Sequence, residues 1–257
     1  MIDRTHFLTL LDRERRELGR DGEMVETLDY VTRLRETDGA WHTVAWSLLD
    51  ESSADAAIAD QIEHHRRLGV NFEWKLYGHD HPPGLLTRLE RHGFAIGPRE
   101  AVLVCDLTDR PQWIDSTDRH TVIRVERLEQ VEVFRTVAGE IFEKDYHVTA
   151  RHLAAALQSA SKQHHGYLAY ADGQPAGVGR LHTHPLSRFG GLYGGGVGRA
   201  FRGRGLYRAL VAARARDALA DGIPYLIVDA LPTSRPILER LGFTWLTDTW
   251  PCEWRAG

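Results

Sequence analysis

The chain has 257 residues, of which 42% are hydrophobic and 26% charged, and its formal net charge is −4. These proportions are ordinary for a globular protein and exclude a disordered, collagen-like or coiled-coil chain. The length suits one large domain or two of about 100–150 residues. No run of about 18 apolar residues is present to cross a membrane as a helix. Two cysteines, Cys105 and Cys252, are too few for a disulfide scaffold or a Cys-rich zinc site. The charged start, Met1-Ile2-Asp3-Arg4, lacks the apolar stretch of a secretory signal, and the two cysteines suit a reducing cytoplasm.

In chain order, residues 4–18 are expected as a helix with Phe7, Leu8, Leu11 and Leu18 on one face. The spacing of Val25, Leu28, Val31 and Leu34 predicts a second helix from Glu23 to Arg35. Alternation at Val44, Trp46 and Leu48 predicts a strand. Asp50-Glu51-Ser52-Ser53 then forms a turn before a helix from Ala54 to Leu68, stopped by Gly69. Phe72, Trp74 and Leu76 mark a strand, Gly78–Gly84 a loop, Leu85–His92 a helix and residues 100–106 a further strand. The polar stretch Thr108–Arg119, with Pro111, has linker composition. It separates an expected domain over 1–110 from one over 119–257.

The second half is expected to begin with a strand at Val122–Val125 and helices over Leu128–Ile141 and Thr149–Ser161. A hairpin comes next, Tyr167–Ala171 and Gly177–His184 about the turn Asp172-Gly173-Gln174. Then come a glycine-rich strand over Gly191–Gly198 and a helix over Leu206–Ala220, whose Tyr207, Leu210, Val211 and Ala218 share one side. A short strand (Tyr225–Val228), a helix (Ser234–Leu241, ended by Gly242) and a last strand from Phe243 complete the chain. Strands alternating with helices imply a mixed α/β fold. The halves also repeat: Leu89-Glu90-Arg91-His92-Gly93-Phe94 matches Leu238-Glu239-Arg240-Leu241-Gly242-Phe243. Asp80 and Asp229 each stand fourteen residues before the phenylalanine. Duplication of one fold explains this better than coincidence.

Chemistry concentrates in Gly194-Gly195-Gly196-Val197-Gly198-Arg199-Ala200-Phe201-Arg202-Gly203-Arg204-Gly205-Leu206-Tyr207. Six arginines and no acid lie between Arg199 and Arg216, leaving −10 on the rest of the chain. A nucleic-acid surface would spread basic charge more widely; one local basic stretch suits a small anionic ligand. The segment reads as strand, Gly/Arg loop and helix start. Helix-terminal amides, close backbone approach at Gly203 and Gly205, and arginine charge together make a pyrophosphate cradle. A Walker A loop needs Lys then Ser or Thr after its last glycine, where this chain has Leu206-Tyr207. A dinucleotide fingerprint needs a third glycine where Arg208 stands.

Arg202-Gly203-Arg204-Gly205-Leu206-Tyr207 resembles motif A of the GNAT superfamily of N-acetyltransferases, [Arg/Gln]-x-x-Gly-x-[Gly/Ala], except at Tyr207. Pro236–Phe243 resembles motif B. The resemblance spans about Val122 to Trp254. It implies two GNAT-like domains, each a mostly antiparallel mixed sheet flanked by helices, with acetyl-CoA as co-substrate and no metal. Binding of acetyl-CoA would then fall to Val197 through its backbone, Arg199 (in place of a frequent Pro), Arg202, Gly203, Arg204, Gly205, Leu206, Tyr207 and Ser234 of motif B. The first half resembles a degenerate copy, with acids at Asp50-Glu51 where the Arg/Gly loop belongs.

The implied reaction is direct attack of a small-molecule or peptide amine on the thioester. Nucleic acid and membrane are not expected partners, and the state is monomer or homodimer. Leu238 replaces the family's frequent acidic Tyr and Leu231 its Asn, so a non-catalytic acyl-CoA sensor is the alternative. Tyr193, four residues before Val197 and so expected on the same strand face, is a candidate acid or an ordinary strand aromatic. Asp229 is a candidate amine ligand or a turn cap. His182 and His184 share a strand face and suit a proton relay, or zinc only with a third ligand. His147 sits between two helices that in the family border the acceptor. His64-His65 and His164-His165 read as exposed helix ends, Cys252 as a nucleophile only with a base beside it, and Trp245, Trp250 and Trp254 as packing of the last strands.

Overall fold

The structure, a computed structural model, describes residues 2–19, 22–36, 41–115, 120–159 and 163–256. In chain order these form α1 (Arg4–Glu17), β1 (Glu23–Thr27), β2 (Val31–Glu36), β3 (His42–Ser47), α2 (Ala54–Leu68), β4 (Phe72–Tyr77), α3 (Leu85–Arg91), β5 (Ala95–Ile96) and β6 (Glu100–Asp106). They continue with β7 (Thr121–Arg124), α4 (Leu128–Phe142), α5 (His147–Gln158), β8 (His164–Ala171), β9 (Gln174–His182), β10 (Phe189–Val197), α6 (Leu206–Ala220), β11 (Tyr225–Ala230), α7 (Arg235–Arg240) and β12 (Thr244–Trp254). No helix among the described residues is long and apolar enough to cross a membrane.

The chain divides into two compact units. The first is Met1–Leu103 with Asp229–Arg235 and Thr244–Gly257; the second is Val104–Val228 with Pro236–Phe243. The division is therefore not a single cut in the 108–119 stretch, of which residues 116–119 lie outside the described residues. Its cause is the last strand. β12 pairs antiparallel with β4, from Thr249↔Tyr77 to Trp254↔Phe72, so the chain's end completes the first unit's sheet.

In the first unit β1, β2 and β3 run antiparallel and β3 pairs parallel with β4 across the crossover helix α2. The helix expected over Glu23–Arg35 is instead the β1–β2 hairpin. Val25 faces Leu34 and Glu26 faces Arg33 across the ladder, the latter pair joined at 3.0 Å. A spacing of three fits a helix face, but it also fits a short hairpin about Leu28–Tyr30. The β-branched Val25, Thr27, Val31 and Thr32 favour the pleated form. The core packs Val44, Ile58, Phe72, Trp74, Leu89, Phe94, Cys252 and Trp254 together.

In the second unit β7, β8, β9 and β10 are antiparallel and β10 pairs parallel with β11. Helices α4 and α5 cover one face, where Phe134, Ala138, Leu153, Leu168 and Val178 meet. Helix α6 covers the other. Leu210 sits against Gly177 and Ala218 against Gly190, both on its side of the sheet. More of α6 is buried than the one side expected: every residue from Ala209 to Ala215 is buried. The helix expected to reach Ser161 ends at Gln158; residues 160–162 lie outside the described residues.

The repeat seen in the sequence is also a repeat of backbone. Phe94 N–H donates to Leu89 C=O at 3.1 Å and Gly93 N–H to Glu90 C=O at 3.0 Å; Phe243 to Leu238 and Gly242 to Glu239 measure the same. Gly93 and Gly242 both take the left-handed conformation, at φ 88° and 91°, that closes a helix in this way.

Candidate active site

The site is built on β10, the loop after it and the start of α6. β10 keeps its antiparallel partner β9 as far as Val197↔Gly177, but its parallel register with β11 ends at Gly191↔Ile227. From Leu192 onward β10 therefore carries a backbone edge that β11 no longer pairs. The β9–β10 register shifts between Tyr193 and Gly196, and Gly194 there has φ 50°. This is a β-bulge with a left-handed glycine, and its extra residue reverses the facing of the residues beyond it. Tyr193 consequently points away from Val197. Its ring packs on His182 at 4.4 Å and takes the Arg180 guanidinium at 6.0 Å, whereas Val197 meets Leu210's side of the sheet. The shared face expected from their spacing holds only for an unbroken strand.

Residues Arg199–Phe201 make one 3-10 turn, and Arg202 Nε donates to the Val197 carbonyl at 3.3 Å, folding the loop onto the strand end. Gly203 and Gly205 have φ 77° and 89°, and a Cβ at Gly203 would meet nothing within 4 Å. No side chain caps α6 at Gly205, so its first-turn amides face outward unpaired by the helix. Arg199, Arg202, Arg204 and Arg208 stand around this end, all four exposed. An open cradle of amides at a helix start, ringed by guanidiniums, fits a phosphate-bearing ligand. Arg204 is also engaged locally. It holds Asp172 bidentately at 2.7 and 2.9 Å, keeping that carboxyl below its usual range, and its carbonyl meets His120 Nε2. These residues, with Thr121, Ile123 and Tyr170, line a cavity of about 620 Å³.

Eight of the nine expected ligand residues thus share one strand–loop–helix unit. Ser234 belongs to the first compact unit, its Oγ donating to the Leu231 carbonyl at 3.2 Å. Asp229 also belongs to the first unit, where Lys75 Nζ lies 3.0 Å from its carboxylate and 3.3 Å from Glu100. Burial pushes Glu100 up, although Lys75 pulls it down. In the repeat, Asp80 likewise holds a cation: Arg15 bonds both of its oxygens, at 2.8 and 2.9 Å.

Other expectations change on inspection. β9 ends at His182, so His184 is not on its face; His184 Nδ1 instead accepts from Leu186 N–H at 3.2 Å, and His182 packs on His164 at 4.2 Å. His65 is not exposed. It is fully buried in the last turn of α2, stacked on Phe72 at 3.9 Å, and burial pushes its imidazole down to about 4. His165 is buried on β8 rather than at a helix end. His147 opens α5 and is exposed, its N–H donating to Asp145 at 2.9 Å. Cys252 is buried with its thiol pushed up to about 12, which removes it as a nucleophile. Among the described residues one His/acid group has metal-ligand proximity, Asp12, His79 and Asp80, and Arg15 already bonds both of its carboxylates.

The first half's counterpart to the loop is filled from within. The Asp50 carboxylate accepts from the Ser52 and Ser53 amides, both at 2.8 Å, at the start of α2. Bonds from Ser52 and Ser53 hold it down to about 2. A carboxylate of the chain thus takes the amides just before α2.

Sequence reasoning missed two residues around β10: Arg180 on the α4–α5 side, beside Tyr146, and Arg214, buried on the α6 side. Arg214 was visible only as one of six arginines. Its distinguishing signal is its place in α6, seven residues after Tyr207 inside an otherwise apolar run.

Residues 133–243 match the family model described as "Acetyltransferase (GNAT) family". No curated protein matches the chain. Among solved structures, a GCN5-related N-acetyltransferase from Kribbella flavida aligns over 99% of this chain and 95% of its own, with TM-score 0.69 and 17% identity. One from Sphaerobacter thermophilus aligns over 98% and 92%, with TM-score 0.64 and 13% identity. A tandem GNAT protein from the clavulanic acid biosynthesis pathway aligns over 88% and 78%, with TM-score 0.56 and 15% identity. At these identities the likeness is one of fold, and it extends over both halves of the chain. The segment matched by that family model carries the β10 bulge, the Gly/Arg loop and α6.

Proposed function

We propose that the protein is an N-acetyltransferase that moves an acetyl group from acetyl-CoA to a primary amine by direct attack, in the cytoplasm. The observation that carries this reading is the uncapped start of α6 beside the unpaired edge of β10. A pyrophosphate suits the first and an extended amide-bearing arm suits the second. Gly203, Gly205, Leu206 and Tyr207 would offer backbone amides, Arg199 and Arg202 charge, and Val197 a backbone group on the edge. Arg204 would contribute once released from Asp172. The thioester supplies an activated acyl carbon; the chain's part is to align the amine and to accept its proton.

The acceptor is proposed to approach on the α4–α5 side, where Tyr146, Arg180, His182 and Tyr193 gather. Tyr193 is the proposed proton donor to the leaving thiolate. Asp229, already paired with Lys75, is the weaker of the two candidate catalytic groups. One acyl-CoA per chain is expected, because Asp50 occupies the equivalent helix start in the first half.

The test is release of free CoA thiol from acetyl-CoA over a panel of amines, small and peptidic. Turnover by the wild type that disappears in Gly205→Asp supports the enzyme. Acetyl-CoA binding without turnover on any amine points to the sensor reading, which the buried Leu238 at the motif B position favours.

A further inference from the structure

Arg214 is 1% exposed, yet no carboxylate among the described residues pairs with it. Its Nε donates to the Leu210 carbonyl at 2.9 Å and one terminal nitrogen, Nη1, to the Arg180 carbonyl at 3.2 Å. The other, Nη2, is buried without a partner. Asp217, three residues further along α6, is taken by the Tyr167 hydroxyl at 2.6 Å and by Arg124 at 3.6 Å. A buried, uncompensated cation is costly, and such groups persist when something else needs the charge. Burial pushes the guanidinium down from its usual value, against the opposing pull of the Tyr207 and Tyr167 phenols. Arginine remains charged through the neutral range regardless.

Its position is specific. A Cβ on Gly195 would stand 3.3 Å from Nη2, and a Cβ on Gly179 would stand 3.0 Å from the guanidinium carbon. Two glycines on neighbouring strands, Gly195 within the bulge and Gly179 across from it, make the space that seats this side chain. Gly195 lies on the stretch of β10 that has lost β11 as a partner. The guanidinium therefore sits beneath β9 and the stretch of β10 that β11 no longer pairs, on the α6 side, held by two carbonyls and shielded from water. Fixed charge in such a place acts on developing charge without reorganising.

We infer that Arg214 is a buried electrostatic device that favours negative charge on a sulfur held along the open edge of β10, and so eases departure of the CoA thiolate. The inference rests on the acetyl-CoA reading above. As the amine nitrogen's lone pair forms the C–N bond, the C–S bond breaks and its electron pair leaves on sulfur. The amine's proton goes to solvent or a base, and Arg214 keeps all of its protons.

The measurement is the thiol pKa of bound CoA, followed by thiolate ultraviolet absorbance, for the wild type, Arg214→Met and Arg214→Lys. CoA affinity by calorimetry and near-ultraviolet circular dichroism are recorded alongside. The expected wild-type thiol titrates about one unit or more below free CoA. That shift disappears in Arg214→Met and is largely kept in Arg214→Lys. Bound CoA with an unshifted thiol overturns the inference and leaves the acetyl-CoA reading standing, as does a shift that survives in Arg214→Met. No CoA binding by folded wild type overturns both. If Arg214→Met fails to fold, Arg214→Gln takes its place, and the wild-type titration stands without any variant.

Discussion

Cys252 lies buried on β12 and Cys105 on β6, and burial pushes both thiols up to about 12. Neither should react with an aromatic disulfide reagent in the native protein, and both should react in denaturant; fast native labelling of either would contradict this packing. His65 gives a pH prediction with a definite sign. Its imidazole is depressed from 6.5 to about 4, so the folded state binds its proton less readily than the unfolded state. The stability it contributes is present above about pH 6.5 and is lost as pH falls toward 4. Denaturant midpoints measured from pH 7 to 4 should drop more steeply for wild type than for His65→Leu; parallel slopes would refute the buried neutral imidazole. Residues of this kind mark where the sequence stops being informative. The pair His64-His65 looks alike in sequence, and only the docking of α2 on Phe72 separates the outer ring from the buried one. The facing of Tyr193 likewise depends on one bulge residue, Gly194, which three consecutive glycines announce but do not locate.

Most elements were legible because their periods and stops are strong. The β10–loop–α6 unit could be read from its glycines and arginines, and the ends of α3 and α7 from a repeated Leu-Glu-Arg-x-Gly-Phe. The β1–β2 hairpin was not, since apolar residues three apart serve a helix face and a short hairpin equally. Nor was the extent of burial of α6, whose alanines are neutral in any one-sided pattern. The repeated helix ends carry an energetic prediction. Gly93→Ala and Gly242→Ala each place a Cβ in the left-handed region, at φ 88° and 91°. Each should cost roughly 1–2 kcal/mol of unfolding free energy, read from denaturant melts, with no loss of acyl-CoA affinity for Gly93→Ala. An unchanged midpoint in both would mean that the two ends relax without a left-handed residue. In the second unit, Leu168→Ala removes a fully buried side chain between β8 and the α4–α5 layer and should cost about 2–5 kcal/mol.

Over the whole chain, the feature that sequence could not show is where β12 goes. A last strand after α7 is expected beside its own half; instead Thr249–Trp254 pairs with β4, and Cys252 and Trp254 join the first unit's core. A chain ending at residue 243 should therefore lose protection in β4 by hydrogen exchange and expose Trp74 to quenchers, while a β4 as protected as in the full chain would contradict the pairing. The arrangement also bears on function. The two halves share a parallel strand–helix–strand unit and a helix end, yet one carries an open Gly/Arg cradle and the other an Asp50 carboxylate bound to its own amides. The most direct test of a single acyl-CoA cradle is calorimetry of acetyl-CoA on the wild type, Arg202→Ala and Gly205→Asp. One site per chain is expected, weakened in Arg202→Ala and abolished in folded Gly205→Asp. Two sites per chain, or wild-type affinity in Gly205→Asp, would contradict it.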